Sequence, residues 1–129
     1  MQKFMLMVVP FFASNIALAE WLQVEHSDIQ TSYADSQVIR SGWSKRKMAL
    51  LSDYMSARRY DGKPFLSVLS QYEYNCKDKQ AQMLSYTLYS EHMGQGGEVY
   101  SSTADNKWKA VAAGSLDDTL WKMACEKNE

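Results

Sequence analysis

Phe65-Leu66-Ser67-Val68-Leu69-Ser70-Gln71-Tyr72-Glu73-Tyr74-Asn75-Cys76 is the stretch on which the fold turns. Leu66, Val68, Ser70, Tyr72, Tyr74 and Cys76 fall on one side of an extended chain. Phe65, Ser67, Leu69, Gln71, Glu73 and Asn75 fall on the other. A period of two over this length, with Val, Phe and Tyr at intervals, predicts a strand. Gln82 to Ser90 alternates in the same way, with Met83, Ser85, Thr87 and Tyr89 opposite Leu84, Tyr86 and Leu88. Lys77-Asp78-Lys79 between the two runs reads as a polar hairpin connection.

Toward the N-terminus, Lys45 to Met55 alternates as a third strand, although Met48 to Leu51 could also begin a helix. Ser56 to Pro64, with Arg58-Arg59, Asp61-Gly62 and Pro64, reads as a charged loop. Before it, Trp21 to Glu25 predicts a short strand, His26-Ser27-Asp28 a turn, and Gln30 to Asp35 and Val38-Ile39 extended chain ending in a turn at Ser41-Gly42.

Toward the C-terminus, His92 to Gly97 holds three of the six glycines and predicts an irregular loop. Glu98 to Ser102 and Lys107 to Val111 come next as short strands around a polar turn at Thr103 to Asn106. The last element changes period: Leu116, Leu120, Met123 and Ala124 share a helical face, with Trp121 and Cys125 on its margin. Gly114-Ser115 sets the helix start, Ser115 can cap it, and Asp117 and Asp118 lie in the first turn, where the helix dipole favours acid. Antiparallel-type strands followed by one amphipathic helix predict an α+β fold, the helix packed on one face of the sheet.

Residues 1–19 carry Lys3, an apolar run from Phe4 through Phe12, and Ala17-Leu18-Ala19, the pattern of a cleavable secretory signal peptide. Pro10, Ser14 and Asn15 interrupt the run, which falls short of the roughly 20 residues a membrane span requires. Residues 20–129 then form a single domain, exported to the periplasm, the outer-membrane surface or the medium. No Cys at the cleavage point is present to accept a lipid. Loss of Lys3 leaves 13 basic against 15 acidic residues, a balance that does not grip nucleic acid. In an oxidising compartment the two cysteines, Cys76 and Cys125, favour a disulfide over a metal site or a catalytic thiol. Such a bond would tie the helix to the sheet.

Chemistry is sparse. His26 and His92 sit in no metal-ligand spacing, and no Ser lies in a nucleophile elbow. Gly94-x-Gly96 resembles the start of a dinucleotide fingerprint, but strand rather than helix comes after it, so a tight turn is the expectation. Asp117 and Asp118 diverge by about 100° on a helix and serve the dipole rather than a shared proton. The expectation is therefore no catalytic residue, no metal and no cofactor. Tyr72, Tyr74, Tyr86, Tyr89 and Tyr100 fit a half-buried sheet before they fit an interface. Lys45-Arg46-Lys47 with Arg58-Arg59 and Lys63 form a basic set able to meet an acidic partner or simply to face solvent.

Trp21 after the leader, Leu51-Ser52-Asp53-Tyr54, Gly62-Lys63-Pro64-Phe65 with Ser67, Tyr72-Glu73-Tyr74-Asn75-Cys76, Met93-Gly94-x-Gly96, Trp108 with Val111, Gly114-Ser115 and Trp121 to Cys125 together resemble the surface-adhesin protein E family of Gram-negative bacteria. The resemblance spans nearly all of residues 20–129. It implies an antiparallel sheet of about six strands, a C-terminal helix held by a disulfide at positions like Cys76 and Cys125, and a tendency to dimerise. It also implies kinship with an outer-membrane adhesin that engages host extracellular-matrix and serum proteins. The leading expectation is a non-enzymatic exported binding module that recognises another protein, of the envelope or the host matrix, through the sheet surface or loops. The alternative is a periplasmic carrier or sensor of a small ligand held between helix and sheet.

Overall fold

The computed structural model describes residues 20–126. The leader expected at residues 1–19 lies outside the described residues.

Among the described residues, eight strands and one α-helix occur in chain order, with a short 3-10 turn at His92–Gly94 between the sixth and seventh strands: β1 Trp21–His26, β2 Gln30–Asp35, β3 Ile39–Gly42, β4 Lys45–Tyr60, β5 Lys63–Asn75, β6 Gln80–Tyr89, β7 Glu98–Thr103, β8 Lys109–Ala110 and α1 Leu116–Glu126. The sheet is antiparallel throughout. Its main path runs β1-β2-β4-β5-β6-β7, while β3 pairs with β4 and β8 with β6. The main path has the six strands expected, and β3 and β8 are short additions.

Three boundaries differ from the sequence reading. Ser56 to Pro64 is not a loop: β4 continues to Tyr60 and β5 begins at Lys63. Asp61 and Gly62 have φ of 49° and 77°, so the Asp-Gly pair makes a two-residue hairpin turn whose twist matches the flanking strands. The turn expected at Ser41-Gly42 falls instead at Trp43 and Ser44, because Gly42 already pairs with Lys45. Of the strand expected at Lys107 to Val111, only Lys109 and Ala110 pair, with Ala81 and Gln80.

Register explains how both faces of the sheet come to be covered. Ala34, Leu50 and Ser70 align in one cross-strand row, and Tyr33, Leu51 and Leu69 in the next, so adjacent rows point to opposite faces. Helix α1 covers the first face, where Leu120 and Ala124 join Ala34, Met48, Leu50, Tyr74, Ala81 and Val111 in one buried cluster. Leu51 and Ser67 are fully buried on the second face. There the segment between β6 and β7 folds back over them, so that a Cβ added at Gly94 would stand in van der Waals contact with the Leu51 side chain.

The helix is held at several points. Ser115 Oγ accepts from the Asp118 amide at 3.1 Å, the cap expected from sequence. Cys76 and Cys125 form a disulfide with a Cα separation of 5.6 Å. Trp121 Nε1 donates to the Asn75 carbonyl at 3.0 Å. The β5–β6 turn thus grips the helix through Asn75, Cys76 and Lys79, whose Nζ lies 5.4 Å from the centre of the Trp121 ring.

Candidate binding surface

β4 and β5 extend beyond their neighbours as a two-stranded arm. Every residue from Met55 to Pro64 is exposed. Asp53 pairs with Ser67 but Arg58 with Phe65, so β4 advances five residues while β5 advances two. Such an excess bends a strand and re-aims the hairpin beyond it. The arm is nonetheless braced. Tyr60 stacks on Tyr100 of β7 with ring centres 4.4 Å apart and 24° between planes, and Tyr86 lies 6.1 Å from Tyr100. Arg58 covers the Tyr54 ring at 4.4 Å, and Tyr54 meets Phe65 edge to face at 6.0 Å. Arg59 Nη1 donates across the turn to the Gly62 carbonyl at 3.2 Å. Hydrogen bonding to Tyr100 raises the Tyr60 phenol above its ordinary value.

At the root of the arm, the Met55 amide donates to the Ile29 carbonyl at 3.0 Å. Ile29 and Met55 are 60% and 62% exposed. Together with Asp28, Ser56, Ala57 and Arg58 they line a depression of about 200 Å³. Apolar side chains, an aromatic stack and Arg58, Arg59 and Lys63 against the single acid Asp61 thus share one rigid projection. Arg and Tyr at an exposed, pre-organised site are the residue types that dominate protein–protein binding energy.

The glycine-rich segment lies beside the root of the arm. Ser67 Oγ donates to the Glu91 carbonyl at 2.6 Å and accepts from the Gly94 amide at 2.9 Å. Asp53 Oδ1 accepts from the Met93 amide at 3.1 Å and pairs with His92 Nδ1 at 3.0 Å. The Gly97 amide donates to Ser90 Oγ. A side chain at Gly96, where φ is +80°, would collide with Ser90 Oγ, so glycine is required there. With the Met93, Gly94, Gln95 and Gly97 amides all donating within the protein, the segment is a packed turn rather than a phosphate cradle.

The other residues singled out in the sequence disperse. The basic set is divided by the length of β4: Lys45, Arg46 and Lys47 open the strand, and Arg58 and Arg59 close it, roughly 30 Å away at the rise of the paired β5 strand. The histidines, by contrast, are brought to one cross-strand row: His26 Nδ1 bonds Thr31 Oγ1 at 2.8 Å, and Thr31 lies directly opposite Asp53, the partner of His92. Among the described residues no group of three or more His, Cys, Asp or Glu side chains could hold a metal ion.

Asp118 does more than oppose the helix dipole. It is buried, accepts from the Gly114 amide at 2.9 Å and pairs with Lys79 at 3.1 Å. The Gly114 amide, the Lys79 ammonium and then Lys122 hold its carboxyl below the usual Asp value. Tyr74 lies under the helix with its phenol displaced upward, first by burial and then by Tyr72 and Asp117.

The centre of the interface between helix and sheet is filled by buried side chains, which counts against a ligand enclosed there, while an open depression of about 480 Å³ runs along its edge between Leu22 of β1 and Thr119, Lys122, Met123 and Glu126 of α1. A smaller cavity, of about 170 Å³, lies at the helix start, lined by Tyr72, Gln82, Asp105, Lys107, Lys109 and Asp117 among others. It is small for a drug-sized ligand, whose sites measure about 300–1,000 Å³.

The profile of the surface-adhesin protein E family matches residues 21–126. No curated protein matches the sequence. Among solved structures, the crystal structure of protein E from non-typeable Haemophilus influenzae matches with a TM-score of 0.56 and 10% sequence identity. The match covers 82% of this chain and 75% of that one. At that identity the likeness is one of fold.

Proposed function

The chain belongs to the surface-adhesin protein E family, and from that premise we propose that it is an exported, non-enzymatic, adhesin-like module that binds another protein through the β4–β5 arm. The observation that carries this reading is the arm itself. Ten consecutive residues, Met55 to Pro64, stand in solvent, yet stacking of Tyr60 on Tyr100 and of Arg58 on Tyr54 holds them in one shape. An exposed apolar and cationic projection that is already ordered loses little entropy on docking. The leader at residues 1–19 supports export, with the mature domain beginning at Glu20. The partner is a protein of the envelope or of the host matrix, and self-pairing into a dimer belongs to the same proposal.

The test uses the mature chain and immobilised extracellular-matrix and serum proteins, with envelope fractions beside them. Saturable binding by the wild type, reduced about tenfold or more by Arg58→Ala with Tyr60→Ala, is expected. Binding unchanged in that double variant would remove the arm from the account. Protease shaving of intact cells then decides the side of the outer membrane: a shaved chain meets the host, and a protected one meets the envelope.

A further inference from the structure

We propose that the β3–β4 hairpin is a peripheral membrane-docking element for an anionic phospholipid bilayer, a surface separate from the arm and independent of the reading given to it. Trp43 caps this hairpin and is 94% exposed. Ile39, opposite Lys47 in the ribbon, is 63% exposed. Between Ser36 and Ser52 the chain carries Arg40, Lys45, Arg46 and Lys47 and no acid, whereas the whole chain is net negative. Four cations thus gather at this end with an indole at its apex, Glu73 of β5 being the cross-strand partner of Lys47.

Shape selects among anionic partners. A tryptophan that stacks on a sugar or fills a protein pocket needs neighbours that orient it, and Trp43 lines none of three depressions in the surface of the described residues. It projects from a two-residue turn. A lipid headgroup layer accepts such a tip because it is fluid and because an indole, with an apolar body and one N–H, partitions to that depth. The cations flanking the tip then meet lipid phosphates. Lys45 and Lys47 remain on the hairpin stem, Lys45 with its Nζ 5.6 Å from the Trp108 ring and Lys47 exposed. Of the two cationic hairpins this one carries four bases and no acid, against three bases and Asp61 on the arm, so it is the end more strongly drawn to an anionic surface.

The hairpin is also mechanically fixed. The Ser44 carbonyl, next to Trp43, accepts from the Cys76 amide at 2.8 Å, and Cys76 is bonded to Cys125 of the helix. Among the described residues no helix is long and apolar enough to cross a membrane, so contact here is with the surface of a bilayer.

The experiment is cosedimentation of the mature chain with phosphatidylglycerol–phosphatidylcholine vesicles and with phosphatidylcholine vesicles alone, at low and high salt. Binding to the anionic vesicles, weakened by salt, is expected. Trp43→Ala should reduce it about tenfold or more, and Lys47→Gln about fivefold, with thermal unfolding unchanged in both because the positions are exposed. A wild type that ignores anionic vesicles overturns the proposal. So does binding that survives Trp43→Ala and Lys47→Gln unaltered. If Trp43→Ala instead dissolves a dimer while vesicle binding persists, the tip belongs to a second copy and the proposal is wrong. Loss of arm-dependent protein binding in Arg58→Ala with Tyr60→Ala, vesicle binding intact, separates the two surfaces.

Discussion

The two ends of β4 carry hairpins of similar composition, an aromatic residue among basic ones, put to opposite use. At Tyr60 the ring is spent within the molecule, stacked on Tyr100 to stiffen a long arm. At Trp43 the ring stands bare on a short ribbon whose stiffness comes from Cys76 and the disulfide behind it. Composition therefore does not say which aromatic is structural and which is offered to a partner; the source of rigidity does. Where a covalent tie fixes the hairpin, the aromatic is released for other work.

The largest effect expected is at the disulfide end. Replacing both cysteines, Cys76→Ser with Cys125→Ser, reopens a sequence separation of 49 residues and should lower stability by about 4 kcal/mol, read as a fall in the urea midpoint. An unchanged midpoint would mean the tie contributes nothing to that end. Next comes the hydrogen-bonded end. Ser67 is fully buried and bridges Glu91 and Gly94, so Ser67→Ala should cost about 1–3 kcal/mol and speed amide exchange at residues 91–97 while the helix amides keep their protection. Uniform loss of protection across both regions would show that the ends are not separable.

Tyr60→Ala should cost about 0.5–1.5 kcal/mol, the worth of the ring pair, measured by thermal unfolding, and should free the arm without touching the helix. An acid-dependent effect arises from Asp118. Its folded pKa lies below the ordinary 3.8, chiefly through the Gly114 amide. Its stabilising share is therefore present above that ordinary value and is lost as pH falls through the lower folded one. Unfolding measured from pH 5 downward should show this loss, and Asp118→Asn should remove it. The smallest effect is that of Trp43→Ala, within about 0.5 kcal/mol of wild type. A larger cost would reveal that Trp43 is structural after all and would collapse the comparison.

What can be read from sequence tracks the distance over which each feature is determined. Alternation in Phe65 to Cys76 and Gln82 to Ser90 declares β5 and β6, and the Ser115 cap with the Leu116, Leu120, Ala124 face declares the helix, because these signals are local. The arm reads as a loop because Arg58-Arg59 and Pro64 outweigh the Asp61-Gly62 pair, which is the true hairpin signal. The turn at Trp43 reads two residues early since Ser41-Gly42 looks like a turn by composition, whereas Gly42 already pairs with Lys45 in the ribbon that ends at Ile39 and Lys47. The anchors of the glycine-rich segment are invisible for another reason: Ser67 and Asp53 meet partners 24 and 40 residues away. No local pattern marks a serine or an aspartate for such a contact.

Photocross-linking in living cells decides whether the two hairpins face different partners. A photoreactive residue is placed at Met55, at Trp43 or, as a control at an exposed position within β5, at Gln71. A discrete protein adduct from Met55, a lipid adduct from Trp43 and none from Gln71 is the predicted result. Protein adducts from Gln71 with Met55 silent, or the same adduct from Met55 and Trp43 alike, would contradict it.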